Sequence, residues 1–86
     1  MKLSLTAHTL TTDTDDGAVL LSQRTGHYWQ LNSTGAYALQ RLLAGRTTDQ
    51  VAKEFAERFG IALDQAREDL AAMTDQLRAS GMVEAC

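Results

Sequence analysis

Eighty-six residues, 44% of them apolar and 22% charged, suffice for one modest core, so a single domain over 1–86 is expected. The formal net charge of −3 speaks against partners held by phosphate neutralisation, nucleic acid above all. No run approaches the roughly 18 apolar residues of a membrane span, Met1-Lys2-Leu3-Ser4-Leu5 lacks the apolar stretch of a signal peptide, and the lone Cys86 can staple nothing within the chain; a cytoplasmic protein away from membranes is expected.

Residues 3–10 alternate, with Leu3, Leu5 and Ala7 set against Ser4, Thr6 and His8, which predicts a strand. Residues 11–17 read as a polar, acidic loop closing on Asp16-Gly17, a hairpin signal between apolar runs. Residues 18–23 form a short apolar run of strand length, and Gly26 marks a second turn. Residues 27–31 are a third strand, since aromatic side chains favour a pleated, half-buried surface. Trp29 and Leu31 share one face of it, Tyr28 and Gln30 the other. The three together make an antiparallel meander.

Asn32, Ser33 and Thr34 each carry an oxygen able to accept from the first N–H groups of a helix, and Ser33 is the expected cap of a helix over 34–44. Its apolar face is Ala36, Leu39 and Leu43 with Leu42 beside them. Thr47-Thr48-Asp49-Gln50 is a capping box opening a helix that runs to Phe59, with Val51, Ala52, Phe55 and Phe59 inward. Asp64 caps a third helix or sits in its first turn. The stripe of that helix is Ala66, Leu70, Met73 and Leu77, and Gly81 stops it. Met82-Val83 return to the core as a tail or short strand. Strands followed by helices, with no βαβ alternation, predict an α+β fold: a three-stranded antiparallel sheet and then three helices, winged helix-turn-helix-like.

Chemistry-bearing residues are sparse. His8, His27 and Cys86 are the one soft ligand set, and their spacing does not suggest a metal site. Asp13, Asp15 and Asp16 lack the distal glutamate of a calcium loop. The glycines stand singly, so no phosphate loop is present. The third helix and its flanks carry Arg67 and Arg78 against Asp64, Glu68, Asp69, Asp75 and Glu84, a balance that phosphates would repel. No catalytic set, metal or cofactor is expected. What remains is the strand 27–31: Trp29 and Leu31 pack inward while a free backbone edge offers N–H and C=O groups to an extended peptide.

The string Val19-Leu20-Leu21, the turn at Gly26, and Tyr28-Trp29-Gln30-Leu31-Asn32-Ser33-Thr34-Gly35-Ala36 resemble the PqqD-like proteins. So do Leu42-Leu43-Ala44-Gly45-Arg46-Thr47-Thr48 and the closing Asp69-Leu70, Leu77 and Gly81-Met82-Val83, which extends the resemblance over residues 16–84. It implies a recognition module for the leader segment of a ribosomally made precursor peptide, most similar to the free-standing leader-binding protein of lasso peptide pathways. Three strands precede three helices in that family, and the leader adds as a strand to the third strand and lies against the third helix. Carried over, the binding edge is His27, Tyr28, Trp29, Gln30 and Leu31, and the helix wall is Arg67, Leu70, Ala71, Thr74 and Arg78. The implied partners are the leader and a transglutaminase-like leader peptidase or other maturation enzyme. Relatives often place proline after the Leu-Asn pair, where this chain has Ser33. Two alternative readings are a winged-helix DNA-binding regulator and a peptide chaperone serving a radical enzyme in redox-cofactor synthesis.

Overall fold

The structure is a computed structural model that describes residues 3–85. In chain order it has β1 (Leu3–Leu5), β2 (Thr9–Thr14), β3 (Gly17–Ser22), β4 (Tyr28–Asn32), α1 (Ser33–Leu43), α2 (Thr48–Phe59), α3 (Leu63–Ala79) and β5 (Val83–Ala85). β2, β3 and β4 form the expected antiparallel meander, and three helices follow it. β1 and β5 form a separate antiparallel pair, with Leu3 opposite Ala85.

The beginning of the chain departs from expectation. The strand predicted over 3–10 is two strands, and the loop predicted over 11–17 is largely β2. Thr6 causes the break. Its N–H donates to Met82 O at 3.1 Å and its hydroxyl donates to Gly81 O at 2.9 Å, so the chain is held to the end of α3. Thr9 N–H donates back to Thr6 O at 3.0 Å, which closes a turn that includes His8. After it the threonines of β2 continue as a strand despite their polarity, because β-branched side chains suit an exposed pleated surface. His8 and His27 therefore both lie outside strands, contrary to the sequence reading. The expectations for Cys86 fall outside the described residues.

Gly17 opens β3 opposite Asn32 with φ 153°. A Cβ there would stand 2.0 Å from Leu31 O and 2.7 Å from the Asn32 carbonyl carbon, so the close approach of β3 to β4 requires glycine. The cap of α1 is Asn32 rather than Ser33. Its Oδ1 accepts from Gly35 N at 2.9 Å and from the Thr34 hydroxyl at 2.8 Å, reaching the third residue of the helix as a cap should. In α2 both bonds of the capping box form: Gln50 N–H donates to Thr47 Oγ1 at 3.1 Å and Thr47 N–H to Gln50 Oε1 at 3.0 Å. α3 begins at Leu63 without a side-chain cap, and Asp64 lies in its first turn.

The inner face of the sheet, Ala18, Leu20 and Leu31, packs on Ala38, Leu39 and Leu42 of α1 within a core shared with α2, α3 and β5. Leu20, Leu42, Val51, Leu77 and Met82 are its most enclosed side chains. Glu54 of α2 accepts from Arg41 of α1 at 3.1 and 3.3 Å and also pairs with Arg46, joining the two helices. The Arg41 guanidinium holds the Glu54 carboxyl below its ordinary range, against the opposing effect of desolvation. Arg58 stacks 4.7 Å from the Tyr37 ring centroid, a second tie between the same helices. Among the described residues, no helix is long and apolar enough to cross a membrane.

Candidate functional site

β4 is the edge of the meander, and its register decides which backbone groups are spent. Opposed residues in antiparallel strands alternate between hydrogen-bonded and non-bonded pairs. Ser22 N–H donates to His27 O at 2.9 Å, which makes Ser22 and His27 a bonded pair. Counting along the register, Leu20–Trp29 and Ala18–Leu31 are bonded as well. The N–H and C=O groups of Trp29 and Leu31 therefore serve β3. Those of Tyr28 and Gln30 point away from it, towards the open edge, while the Asn32 carbonyl lies beside Gly17 where the chain turns into α1.

Beside that edge lies a groove of about 360 Å³. Trp29, Gln30, Leu31 and Asn32 form one wall; Asp69, Leu70, Met73 and Gln76 of α3 form the other. Ala38 of α1 and Phe55 of α2 also line it, and Thr34 and Gly35 close it at the start of α1. Leu31 and Leu70 are buried and Trp29, Phe55 and Met73 partly so, giving the groove an apolar lining with a polar rim. Tyr28 is 69% exposed and faces the outer side of the sheet, in a cross-strand row with Leu21 and Leu10.

The residues expected from the sequence divide in two. Tyr28, Trp29, Gln30 and Leu31 lie on β4, and Leu70 faces them across the groove. His27 precedes the strand as an exposed residue whose carbonyl is taken by β3. Arg67, Ala71 and Thr74 are not in this groove. They line a second cleft of about 310 Å³ on the opposite flank of α3, facing Thr48 and Asp49 of α2. Arg67 there lies 3.7 Å from Asp49 and 3.9 Å from Asp64. Thr74 is 4% exposed and donates its hydroxyl to Ala71 O, an internal helix bond. Arg78 falls on the same flank by helical period.

The residues expected for the wall thus lie on the flank of α3 turned away from the groove beside β4. The groove flank is Asp69, Met73 and Gln76, at spacings of four and three. Met73 already belonged to the predicted apolar stripe, so the signal for its neighbours was the polar pair Asp69 and Gln76 bracketing it. Among the described residues, no group of three or more His, Cys, Asp or Glu side chains is gathered to hold a metal ion.

The model of one protein family, coenzyme PQQ synthesis protein D (PqqD), matches residues 17–83. A comparison with curated proteins found no match. Among solved structures, the chain is similar to a lasso peptide synthetase B1 complexed with the leader peptide. The two share 35% identity over 99% of this chain and 100% of that one, with a TM-score of 0.92. The fold is also that of TbiB1 in complex with the TbiA(beta) leader peptide. Here identity is 21% over 100% of this chain and 98% of that one, with a TM-score of 0.86.

Proposed function

The chain belongs to the PqqD family, and from that premise we propose that it is a non-catalytic adaptor for the leader segment of a ribosomally made precursor peptide. The leader adds as a fourth strand to β4 and is presented to a leader peptidase or other maturation enzyme, in the cytoplasm and in a lasso peptide pathway. The observation that carries this reading is the unspent backbone edge of Tyr28 and Gln30 standing directly beside an apolar groove. A strand laid there gains main-chain hydrogen bonds worth about 1 kcal/mol each. Its inward side chains meet Leu31, Leu70 and Met73, where each buried anchor contributes roughly 1.5–3 kcal/mol. Ordering costs offset much of that sum. The likeness to a leader-bound lasso peptide synthetase B1 at 35% identity supports the choice of ligand.

The test is a titration of the ¹⁵N-labelled protein with the leader segment of its cognate precursor peptide, using duplex DNA as the control. The amide signals of Tyr28 and Gln30 are expected to shift with leader and to stay still with DNA. Silence at both residues at saturating leader would sink strand addition.

A further inference from the structure

Among the described residues, Asp69 is the one charged side chain lining the groove. Its carboxylate accepts from the uncharged Gln65 Nε2 at 2.9 Å, and no cation among the described residues pairs with it. Arg67, two residues away in sequence, is turned to the other flank and engaged by Asp49 and Asp64. Met73 follows Asp69 by one helical turn, about 6 Å along the axis. Alternate side chains of an extended strand repeat about every 6.7 Å. One strand can therefore set successive inward side chains against Met73 and Asp69.

We propose that Asp69 makes this groove select a peptide bearing a basic side chain two residues from an apolar anchor, the anchor packing on Met73 and the cation meeting the Asp69 carboxylate. This rests on the strand-addition reading above and gives it a specificity. The physical reason is local. A peptide covering the groove removes water from Asp69, and a carboxylate losing water without a positive partner is penalised. An arginine or lysine at that position reverses the sign of the effect, while an acidic residue is doubly excluded.

The experiment is a selection of displayed random 12-residue peptides on the full chain, run in parallel on wild type, Asp69→Asn and Asp69→Lys. Wild type is expected to enrich Lys or Arg at one fixed position, two residues from an enriched apolar position. Asp69→Asn should lose the basic enrichment and keep the apolar one, and Asp69→Lys should replace it with Asp or Glu. The best wild-type peptide should bind Asp69→Asn about threefold and Asp69→Lys about tenfold more weakly, as expected for a partly screened ion pair. Exchanging its basic residue for glutamate should weaken binding to wild type by a similar factor, a readout that leaves the protein untouched.

Peptides that shift the Tyr28 and Gln30 amides yet show the same positional preferences on all three proteins would overturn the role of Asp69 and leave strand addition standing. Peptides that bind without moving those amides, or a selection that yields none, would overturn both.

Discussion

The meander has two edges, and they differ in what lies beside them. By the same register, β2 leaves the backbone groups of Thr11 and Asp13 pointing outward, as β4 leaves those of Tyr28 and Gln30. β4 adjoins an apolar groove walled by α3. β2 adjoins a shallow polar recess lined by Asp13, Thr14, Asp15, Tyr37 and Gln40. Asp13 sits on the face of the sheet that turns towards the helices and takes a 3.4 Å bond from Gln40 Nε2. An inward-facing charge on an edge strand is a recognised barrier to further pairing. Free backbone groups are common to both edges, so they do not by themselves mark a binding site. The helix set beside one edge, and the carboxylates set along the other, make the distinction.

The severest way to break the comparison is to damage what both edges depend on. Gly17→Ala drives a Cβ into Leu31 O where β3 meets the end of β4, and should cost about 3 kcal/mol, read as a lower denaturation midpoint. A matched pair of prolines separates the edges. Gln30→Pro deletes an outward N–H of β4 and should weaken leader binding at least tenfold, about 1.4 kcal/mol. The fold should survive, because that N–H pairs with nothing in β3. Thr11→Pro deletes the equivalent group of β2 and should leave binding unchanged by calorimetry; an equal loss from both would erase the distinction drawn between the edges.

Smaller effects should touch neither edge. Thr47→Ala removes the α2 capping box and should cost about 1 kcal/mol of stability with leader affinity intact. The smallest concerns Glu54, whose carboxyl is held low mainly by the Arg41 hydrogen bond. A carboxylate with a lowered folded pKa stabilises the protein above its ordinary pKa, and that contribution fades as pH falls through the folded value. Unfolding midpoints should therefore drop more steeply below about pH 4.3 in wild type than in Glu54→Gln.

The helices were legible because their signals are local. Thr47 and Gln50 carry a complete capping box within four residues, and the period of three and four found Val51, Leu70 and Leu77. β3 and β4 were found within a residue by composition. β1 and β2 were not separated, because the break at Thr6 depends on carbonyls 75 and 76 residues further along the chain. That Arg67, Ala71 and Thr74 line the flank of α3 away from β4 has a similar cause. A single apolar stripe has a polar border on each side, and Asp69 with Gln76 is as plausible a border as Arg67 with Arg78. Which border faces the sheet follows from the handedness with which three helices pack, and no periodicity contains that. Asn32 takes the cap position that the sequence assigns to its neighbour Ser33, because both residue types cap well.

The pairing of Leu3 with Ala85 has a kinetic consequence. It joins the most distant described parts of the chain, so its loop-closure entropy exceeds that of any hairpin in the meander. Contacts of such separation are late events on a folding route, formed once nearer segments have collapsed. The clasp should assemble last and be among the first to open, with Ser4 and Glu84 exchanging their amide protons well before Leu20 or Leu31. Because the clasp and the meander are separate sheets, opening the first leaves the β4 edge paired to β3 as before.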